Sequence, residues 1–207
     1  KAIKESGTIT EEVEKRRVEV LYNAFLSNQV DTNMLEELIN LQTEVEKKFS
    51  TFRADVGGKQ LTDNEIEEIL RNSKDSKQLQ SVWESSKKVG SLVSADVITL
   101  AKKRNEMAKT LGFDNYHQMS LMLSEQDPKE IENIFDELDE LTRSSYVNIK
   151  SKMDSILAKE LKIKPEELMP WHYQNRFFQE APKIYNVDLD KYYTTVDIEQ
   201  ITEKYFA

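Results

Sequence analysis

The sequence predicts an all-α fold of long antiparallel helices, with at most one small hairpin near residues 52–62. Two observations carry this. The 207 residues include only 5 glycines and 4 prolines, while Glu, Lys, Leu and Ser are abundant. Such a chain has material for long helices and few turns. Apolar residues also recur at helical spacing without a break over 79–111 and again over 131–161.

The elements follow in order. Thr8 and Thr10 can cap a first helix, and Glu11, Glu12 and Glu14 suit its positive end. Val13, Val20, Leu21, Ala24 and Phe25 form its apolar stripe. A short connection at 28–32 leads to a second helix capped by Asp31, with Leu35, Leu38, Ile39, Leu41, Val45 and Phe49 facing inward. So short a link predicts antiparallel neighbours.

The stretch FRADVGGKQLT at 52–62 breaks the pattern, and Gly57-Gly58 reads as a hairpin turn or an exposed loop. It is no phosphate loop, because neither the glycine spacing nor a Lys-Ser/Thr pair is present. Thr62 followed by Glu65 is a capping box opening a short helix that ends near Asn72. Asp75 or Ser76 starts a long helix reaching about Leu111, with Leu79, Val82, Trp83, Val89, Val93, Val97, Leu100, Ala108 and Leu111 inward. Gly90 interrupts it and could allow close packing or a mild kink.

Gly112 supplies the left-handed residue that closes a helix, and Asp114 or Asn115 caps the next one. Asp127-Pro128 is a strong start signal for a further helix of about 45 Å. Its apolar positions are Ile131, Ile134, Phe135, Leu138, Leu141, Ile149, Met153, Ile156, Leu157 and Leu161. Lys164-Pro165 restarts the chain. Another helix is expected within 166–178, broken near Pro170 and ended by Pro182, and 188–207 supplies the last helical material. There is no internal repeat.

Composition excludes several functions. A net charge of −9 argues against general nucleic-acid binding, which needs clustered Lys and Arg. No apolar run of about 18 residues exists, so no membrane-spanning segment is expected. The absence of Cys removes disulfides, thiolate metal sites and a cysteine nucleophile, and it leaves the compartment undetermined.

The remaining chemistry is sparse. His117 and His172 are the two histidines, and neither belongs to a His-Glu-x-x-His motif, which places two ligands one helical turn apart on one zinc ion. A zinc site would need both to converge with a carboxylate from separate helices. His117, beside Tyr116, reads instead as a helix-surface or turn residue. Asp136, Glu137, Asp139 and Glu140 alternate with Phe135, Leu138 and Leu141, which makes them the solvated face of an amphipathic helix. No GxSxG elbow occurs. These readings leave no catalytic residue and no metal ligand in the chain.

The most unusual stretch is WHYQNRFFQEAP at 171–182, where polar hydrogen-bonding groups interleave with four aromatics. It can line a ligand cleft. It can equally be a helix whose aromatics are core and whose polar groups hold a neighbouring loop, and spacing alone favours that.

RNEMAKTLGFDNYHQMSLMLSEQD, then FDELDELT, then PWHYQNRFFQEAP resemble, in that order, the N-terminal part of bacterial zinc metallopeptidases akin to angiotensin-converting enzyme and the oligopeptidases. ILRNSKDSKQLQSVWESSKKVG upstream is similar to a converting-enzyme segment in which a Ser and Asp precede a Trp-containing helix that ends in Val-Gly. The resemblance spans roughly residues 49–207.

It implies a helical protein around a deep cleft, one lobe acting as a lid, with zinc at the bottom. The 207 residues would then be a single lid and cleft-wall unit. The family's zinc ligands and general base sit on a His-Glu-x-x-His helix and a downstream Glu that this sequence lacks, so no catalytic residue carries over. The implied chemistry is zinc-assisted peptide hydrolysis, with the zinc and the remaining catalytic domain belonging to the parent protein.

A Trp-x-Gln pattern in converting-enzyme relatives helps hold the peptide carboxylate. Here the register differs, and Trp171, Tyr173, Gln174 and Asn175 are the substrate-contact candidates. The competing readings are a non-catalytic helical interaction module and an independent helical enzyme using His117 or His172. The chain starts at Lys1 and ends at Ala207 within an apolar pattern. A cut within a longer polypeptide is expected over a natural terminus.

Overall fold

The computed structural model describes residues 2–184, 190–192 and 196–207. Eight α-helices and one two-stranded antiparallel sheet account for its regular structure. The helices are α1 (Ala2–Glu5), α2 (Glu12–Leu26), α3 (Thr32–Thr51), α4 (Asp63–Asn72), α5 (Ser76–Thr110), α6 (Tyr116–Leu123), α7 (Pro128–Leu161) and α8 (Ile198–Phe206). The strands β1 (Ala54–Val56) and β2 (Lys59–Leu61) pair Ala54 with Leu61 and Val56 with Lys59. Gly57 and Gly58 both take positive φ, the geometry a two-residue hairpin turn requires. The fold is all-α, as the periodicity predicts. Among the described residues no helix is long and apolar enough to cross a membrane.

Local capping sets most boundaries. The side chains of Asp31, Thr62, Asp75, Asn115 and Asp127 each accept backbone N–H groups of the helix they open. At Thr62 the reciprocal bond from Glu65 completes the capping box. Glu65 accepts the Thr62 N–H and the Lys59 ammonium, which hold its carboxyl down at about 2. Gly112 closes α5: its N–H reaches Lys109 O and the Phe113 N–H reaches Ala108 O, the paired bonds of a Schellman end. Lys162 ends α7 with the same bond pattern, although it carries a side chain at φ 57°.

Helix α5 is the spine. At 35 residues it is about 52 Å long. Its first half packs Leu79 and Val82 with Ala54, Leu61, Ile66 and Leu70, against the hairpin and α4. Its second half packs Leu100, Met107 and Ala108 with Leu38 of α3 and Met119 of α6. Burying each such large side chain contributes roughly 1.5–3 kcal/mol.

Several expectations fail. Residues 166–178 form no α-helix, only single 3-10 turns at Pro165–Glu167 and Pro170–His172. Pro165 and Pro170 each remove a backbone donor, and Gln174 and Phe178 take φ of 61° and 58°, which a helix cannot contain. Glu11, not Thr8 or Thr10, precedes α2, and it makes no side-chain cap. A Cβ at Gly90 would meet nothing within 4 Å, so that glycine serves no close approach.

The inward assignments fail most widely. Val13, Val20, Leu21 and Phe25 of α2, Ile39 and Phe49 of α3, and Val97 of α5 are exposed. On α7 only Leu157 and Ala158 are buried, while Ile134, Phe135, Leu138, Leu141 and Ile149 are exposed, Leu138 at 47%. The apolar stripes exist, but among the described residues these positions are not covered. The expected helical material at 188–207 is met by α8 and a 3-10 turn at Asp190–Tyr192; residues 188–189 and 193–195 lie outside the described set.

Candidate functional site: the cleft between α7 and residues 168–182

After α7 the chain turns back, and residues 171–176 contact α5, α7 and α4. Each residue of 171–178 is tied to a different neighbour. Trp171 packs beside Trp83 of α5, ring centroids 6.2 Å apart, and joins the first core cluster. His172 is buried; its Nδ1 accepts the Met169 N–H at 2.9 Å and its Nε2 lies 2.8 Å from the Ser76 hydroxyl. With Nδ1 an acceptor, Nε2 carries the proton and donates to Ser76. Burial pushes the imidazolium pKa down, so the ring is a neutral structural strut.

Tyr173 completes a three-residue cluster with α7. Lys150 Nζ donates to Tyr173 Oη at 2.7 Å, and Tyr173 Oη donates to Asp154 Oδ1 at 2.9 Å. Lys150 also reaches both oxygens of Asp154, at 2.7 and 2.8 Å. Burial draws the Lys150 ammonium down, but its bonds to Asp154 and Tyr173 outweigh that and hold its pKa up. Burial, aided by Asp154, raises the Tyr173 phenol against the lowering effect of Lys150. The cluster therefore holds a neutral phenol between a matched cation and anion.

The next three residues are anchored through their polar ends. Gln174 Oε1 accepts the Lys183 N–H at 2.9 Å. Asn175 Oδ1 accepts the N–H groups of Phe177 and Gln179 at 2.9 and 3.1 Å. Among the described residues, the NH2 ends of both amides have no partner. Arg176, 8% exposed, donates to Asp63 Oδ1 at 2.7 Å and lies 3.6 Å from Glu67. Lys87 donates to the Arg176 carbonyl at 2.5 Å and rests over the rings of Phe177 and Trp83. Burial, and then the Arg176 charge, push the Lys87 pKa down.

Between this segment and α7 lies an open cleft of about 430 Å³. Its walls are Tyr146, Ile149 and Met153 of α7 facing Met169, Tyr173 and Phe178, with Lys150 at one side and Glu180 at the rim. Its size falls in the range of ligand clefts, roughly 300–1,000 Å³. Of the four residues the sequence singles out, Tyr173 lines this cleft, Trp171 packs behind it, and Gln174 and Asn175 shape the turn between Tyr173 and Phe178.

Sequence reasoning missed Lys150 and Asp154. Their i,i+4 spacing was a visible signal for an ion pair. Their meeting with Tyr173, 23 and 19 positions away, was not. It also missed Met153 and Tyr146 as lining residues, since α7 reads as continuous amphipathic helix there.

The residues described do not fit the zinc that the resemblance implies. Both ring nitrogens of His172 are engaged, His117 is exposed on α6, and no three His, Cys, Asp or Glu side chains converge among the described residues.

The profile of a family described as angiotensin-converting enzyme, a peptidase family, aligns with residues 3–176. That span contains α7 and the wall from Met169 to Arg176. In the comparison with curated proteins, none matches.

Proposed function

The chain belongs to the angiotensin-converting enzyme family of peptidases, and on that premise we propose that it forms the N-terminal helical lid and cleft wall of a zinc-dependent peptidase. The His-Glu-x-x-His part, which the sequence lacks, belongs to the rest of the parent polypeptide. The observation that carries this reading is the cleft between α7 and residues 168–182, an apolar concavity with few polar groups, within and just beyond the family span.

In this reading Tyr173 lines the peptide-contacting wall, Trp171 backs it from the core, and Gln174 and Asn175 stand in the turn beside it. Tyr173 touches peptide directly, positioned by Lys150 and Asp154. Among the described residues the NH2 end of half-buried Gln174 has no partner and donates to a peptide carbonyl, while buried Asn175 holds the turn behind it and both side-chain oxygens remain committed to backbone. These residues orient an extended chain and exclude water around it. They move no proton and cut no bond, so this chain alone hydrolyses nothing. The exposed stripe of Phe135, Leu138 and Leu141 meets the remaining catalytic part. The same stripe is what a non-catalytic interaction module would use, and it is the observation favouring that second reading.

Gln174→Ala in the full-length parent separates the two. Loss of a peptide contact lowers kcat/KM by several-fold or more, matching roughly 1–3 kcal/mol, with thermal stability nearly unchanged. Unchanged kinetics with a large stability loss overturns the contact role. Chelator-sensitive peptide hydrolysis by the pure 207-residue chain overturns the inactivity of this chain.

A further inference from the structure

We infer that the cleft between α7 and residues 168–182 is a subsite for one uncharged aromatic side chain of a bound peptide. The inference rests on the peptide-cleft reading and names the side chain that the cleft selects.

Charge decides against an ionic occupant. The charged groups at the cleft are Lys150 and Glu180. Lys150 spends its donors on both Asp154 oxygens and on Tyr173. Glu180 pairs with Arg71 at 3.1 Å. Each charge already has its counterion, so a carboxylate or ammonium entering the cleft loses water and gains no partner. A neutral apolar group has no such penalty.

The lining then selects among apolar groups. Tyr146 and Phe178 are largely exposed, so their rings are available to a guest, and Ile149, which also lines the cleft, is 55% exposed. Tyr173 and Phe178 already meet edge to face, at 6.2 Å and 68°. A third ring can extend that arrangement, a geometry that favours aromatic pairs beyond the area they bury. Met153 and Met169 add polarisable thioethers that contact ring edges favourably and adjust to shape.

The test uses the 207-residue chain with its methionine methyl groups isotope-labelled. Six methionines report, of which Met153 and Met169 line the cleft, while Met34, Met107, Met119 and Met122 serve as internal controls. N-acetyl-phenylalanine amide is expected to shift Met153 and Met169 alone. N-acetyl-lysine amide and N-acetyl-glutamate amide are expected to bind roughly tenfold more weakly or less. Ile149→Lys, at an exposed position and expected to keep the wild-type circular dichroism spectrum, is expected to abolish the phenylalanine shift.

No shift at Met153 and Met169, or equal response to all three amides, overturns the subsite. A capped alanine peptide and its single-phenylalanine variant form the second arm. If the alanine peptide perturbs residues 171–178 and the phenylalanine adds nothing, the peptide reading stands and the aromatic subsite falls. If the amide binds but the phenylalanine peptide binds no tighter than the amide, the subsite stands and the peptide reading falls.

Discussion

His172 Nε2 lies 2.8 Å from the Ser76 hydroxyl, and this contact ties the turn after α7 to the first turn of α5. The histidine works as a strut only while neutral, because Nδ1 must accept the Met169 N–H. A proton on Nδ1 would break that bond inside a buried site.

A pH dependence follows. Burial lowers the folded-state pKa of His172 below its ordinary value near 6.5. In the window between the two values the unfolded chain binds more protons, so stability rises with pH there. The contribution is fully present above about 6.5 and is lost as pH falls toward the folded value. Urea unfolding between pH 8 and 5 is expected to show this loss in the wild type and not in His172→Gln. Equal slopes in both proteins would refute it.

Arg176 joins residues 171–178 to α4 through Asp63 and Glu67. Arg176→Met leaves two carboxylates without their cation and is expected to cost about 2–3 kcal/mol, below the figure for a fully buried pair because Asp63 is partly solvated. Arg176→Lys restores only part, since one ammonium cannot span both acids as the guanidinium fork does. Denaturant unfolding of the two variants measures the difference.

Asn175 Oδ1 holds the N–H groups of Phe177 and Gln179. Asn175→Ala is expected to cost about 1–3 kcal/mol, because both donors lose their acceptor. Hydrogen exchange at those two amides should accelerate. Asn175→Asp keeps the acceptor and should retain most of the protection. Unchanged exchange in the alanine variant would mean that the side chain does not hold the turn.

Lys162 occupies a left-handed position at the end of α7 and is exposed. Lys162→Gly relieves the Cβ clash while giving back some unfolded-state entropy, so a gain of up to about 1 kcal/mol is expected. A lowered melting temperature would contradict this.

Legibility differed from element to element. The Thr62–Glu65 box, the Asp127-Pro128 start and the Gly112 stop were readable because each is a bond pattern within a few residues. The helix expected over 166–178 was misread. Pro165, Pro170 and the positive φ of Gln174 and Phe178 hold the backbone in turns. The family resemblance was legible from ordered motifs, and the match over residues 3–176 agrees with it.

The sequence by itself determined the all-α class, the lengths of α5 and α7, and the residues that begin and end them. Those properties depend on hydrogen bonds and side-chain caps between near neighbours, and near neighbours are written in order along the chain. Only the tertiary structure decided which apolar stripes are covered. Leu79 and Leu138 both sit on a helical stripe, yet Leu79 is buried against α4 and the hairpin while Leu138 faces solvent. It also decided that Lys150 and Asp154 meet Tyr173 beside a cleft. Burial and convergence depend on what lies opposite a side chain in space, and helical periodicity marks a face without naming its partner.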